Sequence, residues 1–134
     1  MYDNLSALFS SAGLRLTAPR RIIFDALRRS DVPQSIVQLS AVCPTIDKAS
    51  IYRTIALFDK HSITQRVPRG WKFLYELAVP FAPHHHHLIC TQCGGLTNIE
   101  SEQLETMITD ITDEHQFIPT RHHFEITGIC NNCK

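Results

Sequence analysis

Apolar positions in the first sixty residues recur three and four apart, the spacing of one helical face. In DNLSALFSSAG, Leu5, Leu8 and Phe9 share a side and Gly13 supplies a C-terminal stop. TAPRRIIFDALRRS predicts a second helix, with a Thr17 cap and Pro19 in its first turn. Ile22, Ile23, Ala26 and Leu27 form its inward stripe, and arginines occupy the other faces. Ser35 caps a short third helix that uses Ile36, Leu39 and Val42. Asp47 caps a fourth, with Ile51, Ile55 and Phe58 at i, i+4 and i+7. The period then shortens to that of strands. ITQRVPRGWKFLYEL holds two β-rich runs around Arg69-Gly70, a hairpin. Short helices followed by a hairpin predict a winged helix-turn-helix.

The remainder follows another pattern. AVPFAP, residues 78–83, has two prolines and no helical period, and reads as a hinge. Strand-like HHLIC and LTNI follow, then a helix from a Ser101 cap with Leu104, Met107, Ile108 and Ile111 inward. Pro119 closes the next loop, and HHFEITGIC gives a last strand. The expected class is α+β. A winged-helix domain over residues 1–77 and the hinge at 78–83 precede a small α/β domain over 84–134.

At 134 residues the chain can form one large domain or two small ones. No apolar run approaches the roughly 20 residues that span a bilayer. The start, MYDNLSALFSS, lacks the basic and long apolar parts of a secretory signal, so a cytoplasmic protein is expected. The formal net charge of zero conceals a division. Residues 1–75 carry eleven Lys/Arg against five acids, and residues 76–134 carry two against eight. The first part suits a polyanion and the second suits cations.

Cysteines and histidines concentrate in the acidic part. Cys90-x-x-Cys93 and Cys130-x-x-Cys133 each fall at a strand end, where a tight turn can aim two sulfurs at one ion. Four thiolates suit tetrahedral Zn²⁺. Disulfides belong to secreted chains, and a redox pair needs no second copy. Cys43, before Pro44, reads as a small core residue.

Four histidines run from His84 to His87. Strand side chains alternate, so His84 and His86 face one way while His85 and His87 face the other. One run can therefore feed two metal sites. His84, His86, Glu105 and His122 would form a closed N₃O set suited to zinc, and also to iron or manganese. On the other face Glu76, at the end of the wing, would join His85 and His87 across the hinge. His61 reads as a helix-end cap, and His115 and His123 as ordinary surface or core residues.

The stretches GLRLTAPRRIIFDAL, ASIYRTIALFDKHSI, YEL, HHHHLICTQCG and HFEITGICNNC together resemble the ferric uptake regulator family, over nearly the full length. The resemblance implies a homodimer with a winged-helix DNA-binding domain and a dimerisation domain, usually a metal-dependent repressor. It implies structural zinc on Cys90, Cys93, Cys130 and Cys133. A second-domain site would use His84, His86, Glu105 and His122, and a hinge sensing site Glu76, His85 and His87. It also implies DNA contacts by Arg15, in a loop, and by Lys48, Ser50, Tyr52 and Arg53 on the fourth helix. Three positions depart from the family pattern. Pro33 stands where iron and peroxide sensors place a histidine, Asn98 where they carry an acid, and Ala78 near a cysteine common in zinc regulators. The hinge set is then completed by water or by a residue that the pattern does not name.

The expected function is a metal-dependent repressor of iron- or zinc-uptake genes, not an enzyme. It would act on a pseudo-palindromic operator in double-stranded DNA, with Zn²⁺, Fe²⁺ or Mn²⁺ as the regulatory ion and no membrane partner. A peroxide regulator of the same family is one alternative. A zinc hydrolase is the other, and it would need an open coordination position beside a general base.

Overall fold

The computed structural model describes residues 2–134, which divide into two compact units, one ending at Pro83 and the other spanning His84–Lys134. In the first, α1 (Tyr2–Ser11), α2 (Ala18–Arg28), α3 (Ile36–Val42) and α4 (Lys48–Lys60) precede strands β1 (Thr64–Arg69) and β2 (Lys72–Leu77). The helix ends follow local chemistry. Gly13 takes a φ of 66°, and the Leu14 N–H closes back on Phe9 O at 2.8 Å, a glycine-type stop. Ser35 and Gln38 form a reciprocal capping box on α3, and the Asp47 side chain accepts from Ser50 N at the start of α4.

The core of this unit is aromatic at its centre. Phe58 is fully buried and meets Phe9 and Phe24 edge-on, with ring centroids 6.3 and 6.4 Å apart. Around them pack Leu5, Ile23, Leu27, Leu39, Ile51, Ile55 and Ile63. Two expected core positions face outward instead, Ile22 at 40 % and Val42 at 59 % exposure. On α2 the buried face is Ile23, Phe24, Ala26 and Leu27, which turns Ile22 to the side; after α3 the buried place goes to Cys43. The expected hinge is also largely part of this unit. Phe81 is buried against Phe24 at 5.7 Å, and Ala78 N donates to Ile63 O.

β1 and β2 form the antiparallel wing, whose last pair is Arg69↔Lys72. Gln34, just before α3, exchanges both backbone bonds with Tyr75 at 2.8 Å and so lies as a one-residue third strand against β2. Nothing in the sequence period announced that bridge.

The second unit contains β3 (His86–Cys90), β4 (Leu96–Ile99), α5 (Glu102–Glu114), β5 (Glu125–Gly128) and a 3₁₀ turn at Asn131–Cys133. Its sheet order is β4-β3-β5, with β3 antiparallel to β4 and parallel to β5, the return to β5 passing through α5. The last strand is shorter than the sequence suggested, so His122 stands in the loop before β5. The expected inward face of α5 is only half covered: Leu104 and Ile108 are partly buried, whereas Met107 and Ile111 are about half exposed. Among the described residues of this unit, the buried side chains are His86, His87 and Cys90, with no aliphatic one.

Phe58→Ala would empty the centre of the helical core. The expected loss is about 3–5 kcal/mol of stability, read as a lower urea midpoint for the helical unit.

Candidate metal centres and nucleic-acid surface

The two Cys-x-x-Cys turns meet at the ends of β3 and β5. Cys90 closes β3, and the chain turns through Gly94, φ 73°, with Gly94 N donating to Cys90 O at 2.9 Å. Thr91 fastens this turn to the other strand through its N–H and its hydroxyl, both donating to Gly128 O. Cys130 N donates to Cys90 Sγ at 3.3 Å, and Gly95 N to Cys93 Sγ at 3.4 Å. A Cβ at Gly95 would stand only 3.3 Å from Cys93 Sγ, so this glycine allows the close approach. All four cysteines are free, and their sulfurs lie within 4.8 Å of one another.

That spacing matches the donor set. Sulfurs each about 2.3 Å from a tetrahedral ion stand roughly 3.8 Å apart, and Cys93 and Cys130 Sγ are separated by 3.8 Å. The backbone N–H groups of Cys130 and Cys93 draw the Cys90 thiol down to about 5. Cys133 is pushed up to about 12, because hydrogen bonds to Cys130 and Cys93 hold its proton among crowded sulfurs. A divalent cation among these sulfurs would displace such a proton and neutralise the thiolates it leaves.

The second cluster is built by alternation. His84 precedes β3 and His86 opens it, yet both rings turn to the same side, 4.7 Å apart. Glu105 comes from the first turn of α5, held by the Ser101 cap, and His122 from the loop before β5. His86 Nε2 lies 2.6 Å from Glu105 Oε1, and His84 Nε2 lies 3.3 Å from the same oxygen. His122 Nε2 is 3.4 Å from Glu105 Oε2 and 2.8 Å from His84 Nε2. Donors about 2 Å from a tetrahedral ion would be roughly 3.3 Å apart, so these residues fit one. The His86 hydrogen bond holds the Glu105 carboxyl below its ordinary value, and partial burial lowers His84. Both shifts favour the ligating forms, carboxylate and neutral imidazole. A cavity of about 630 Å³ opens beside the cluster, lined also by Glu100 and Glu102, two acids whose sequence spacing does not mark them as ligands.

The three residues expected at the hinge are divided between the units. Glu76 is buried on β2, its Oε1 accepting from Gln65 Nε2 at 2.6 Å. His85 and His87 belong to the second unit, on the side of the strand opposite His84 and His86, with ring centroids 5.0 Å apart.

On α4, Ile51, Thr54, Ile55 and Phe58 are buried, and Lys48, Tyr52 and Arg53 point outward, Tyr52 with 54 % exposure. Ala49 and Ala56 share the exposed side and carry no charge to mark them in the sequence. Ser50 is engaged: its hydroxyl donates to Asp47 Oδ2 at 2.6 Å and accepts from Arg53 Nη2 at 3.0 Å. Arg15 is exposed in the loop between α1 and α2, its carbonyl accepting from Arg20 Nη1. No helix among the described residues is long and apolar enough to cross a membrane.

Residues 11–127 match the family model described as the ferric uptake regulator family. The ferric uptake regulation protein of Yersinia pestis is 30 % identical, the alignment covering 100 % of this chain and 94 % of that protein. The crystal structure of the Vibrio cholerae ferric uptake regulator is 27 % identical with a TM-score of 0.75, over 95 % of this chain and 99 % of that one. A zinc-bound manganese uptake regulator, also 27 % identical, gives a TM-score of 0.67 over 94 % of this chain and 98 % of its own.

Cys90→Ser is expected to remove one tightly held zinc per chain and to unfold residues 84–134, since such a site contributes on the order of 10 kcal/mol. Hydrogen exchange would show β3 and β5 losing protection while α4 keeps it. Glu105→Ala should lower the metal content by one further equivalent and leave the cysteine-bound ion in place, as read by elemental analysis.

Proposed function

This chain belongs to the ferric uptake regulator family, a family of transcriptional regulators of metal homeostasis, and on that premise we propose that it is a metal-dependent repressor acting as a homodimer on a pseudo-palindromic operator. The observation that carries this reading is the division of four adjacent histidines into two sets, His84 and His86 on one side, His85 and His87 on the other. A regulator needs a structural ion that stays and a sensed ion that comes and goes. The cysteines can keep the first, and alternation lets one run of histidines feed two further sites.

In this reading the four cysteines hold zinc permanently, and the N₃O set binds Zn²⁺, or Fe²⁺ or Mn²⁺ at the same donors. Glu76 and the pair His85 and His87 belong to different units, so an ion that takes all three fixes the reading head against its pairing module. Water or one further residue would complete that shell. The ion supplies a strong bond between groups that are otherwise independent. The protein supplies two-fold symmetry: two α4 helices at one separation match two half-sites of one operator. A coupling of about 1–3 kcal/mol, roughly 5- to 150-fold in affinity, makes a useful switch.

The DNA face follows from charge. Lys48, Tyr52 and Arg53 would enter the major groove with Ala49 against a thymine methyl, and Arg15 would reach the backbone. Ser50 would act through Arg53, whose guanidinium it holds. Exposed Leu88, Met107, Ile111, Ile126 and Ile129 in the second unit support pairing with a second copy. Free cysteines and a DNA target support a cytoplasmic location.

Selection from a random-sequence duplex library, with Zn²⁺ and again with Fe²⁺ or Mn²⁺ under anaerobic conditions, tests the reading. The expected product is a two-fold repeat, enriched only with metal, and bound with an affinity that falls steeply as salt rises. His85→Ala and His87→Ala should lose most of the metal dependence, by tenfold or more on the scale of that coupling, yet remain dimeric in sedimentation. Recovery of no duplex under any metal would refute the regulator.

A further inference from the structure

Trp71 is the chain's single tryptophan, and it stands wholly in solvent, at 103 % of its reference exposure. A side chain of that size is ordinarily among the most buried on average, because it carries about 150–250 Å² of largely apolar surface. Its position accounts for the exposure but not for the residue. Arg69↔Lys72 is the last pair of the wing, so Gly70 and Trp71 form a two-residue turn. Gly70 has a φ of 56° and Trp71 a negative one, the pattern of a Gly-first turn. Such a turn demands glycine at the first place and accepts almost any residue at the second. Neither the turn nor the core calls for an indole there.

The surroundings point to what it meets. Arg69 and Lys72 bracket the Gly70-Trp71 turn in sequence and pair with each other across the hairpin, so the residues on either side of the tip are both cations. The hairpin is tied back to α4. Arg66 contacts Asp59 Oδ2 through Nη2 at 2.7 Å and Nε at 3.0 Å, with its guanidinium over the Phe73 ring at 5.2 Å. The short turn out of α4 is closed by Ile63 N donating to Phe58 O at 2.8 Å. The tip is therefore carried at a fixed place relative to the exposed basic face of α4. Residues 1–75, which include both, hold six more bases than acids. An aromatic platform between cations on a basic unit is the composition that nucleic acids select.

We propose that Trp71 is a DNA-contacting residue of the wing: its indole packs against deoxyribose and base edges in the minor groove, with Arg69 and Lys72 on the phosphates either side. This rests on the DNA-binding reading above and adds a contact that the recognition helix does not make. The groove is narrow and has phosphates on both walls, which suits a flat apolar ring between two positive charges.

Being the only tryptophan, Trp71 reports on itself. The zinc-loaded full-length protein is titrated with the duplex recovered in the selection, following tryptophan emission alongside a gel shift. Emission is expected to be quenched and shifted to the blue in step with complex formation. Trp71→Ala should weaken binding about tenfold or more, the order of one lost aromatic contact with a nucleic acid, while the salt dependence stays unchanged. Trp71→Phe should restore part of the affinity, and Lys72→Ala should flatten the salt dependence by about one ion per wing. Flat emission in a complex that the gel shift shows to form, or wild-type affinity in Trp71→Ala, overturns the proposal and leaves the regulator standing. Absence of any complex with the selected duplex takes down both.

Discussion

A segment of fifty-one residues, His84–Lys134, without a buried aliphatic side chain among those described, cannot be held together by hydrophobic burial alone. Small units of this size ordinarily need a metal, disulfides or a partner. Here the thiols are free and gathered within 4.8 Å. The places of a core are taken by His86, His87 and Cys90, the buried residues of the central strand. His86 Nε2 meets the Glu105 carboxylate and Cys90 Sγ accepts from Cys130 N, polar partners rather than hydrocarbon. At the cysteine site, folding and metal chemistry are therefore one problem, and sulfurs that failed to bind an ion would also fail to hold the fold.

The first unit makes the opposite choice. Its centre is three phenylalanines meeting at right angles, and its charge is carried on the outside of helices that the core positions. Such a unit keeps its shape whatever ion is present. Stability without metal in one part and stability through metal in the other is a natural division for a molecule that reports ion status, since the part that touches DNA must stay folded in both conditions.

What the sequence disclosed, it disclosed through strict geometric rules. Strand alternation separated the histidines correctly even though β3 begins only at His86, because the extended backbone continues beyond the paired residues. Capping chemistry located Ser35, Asp47 and Ser101. The failures have physical reasons too. Ile22 and Val42 read as inward by residue type, but each step along a helix turns a side chain by 100°, which carries Ile22 to the side and brings Phe24, two places on, inward; beyond the end of α3 the buried place falls to Cys43. Phe81 was hidden by the prolines on either side, which mark irregular backbone but say nothing of packing. Met107 and Ile111 were expected to be buried by their own chain, whereas apolarity states only that some surface covers them. The acids at the mouth of the N₃O cluster and the alanines on α4 carried no spacing signal at all.

The single bridge between Gln34 and Tyr75 has a mechanical meaning. A hairpin with one free edge is a soft cantilever, marginal in water and prone to fray from its tip. By clasping Tyr75 from the far side, Gln34 turns the base of that cantilever into a clamped beam, with the residue that leads into α3 as its second support. Deflection at the tip is then resisted at the root of the helix-turn-helix, so the wing is a stiff stylus rather than a trailing ribbon.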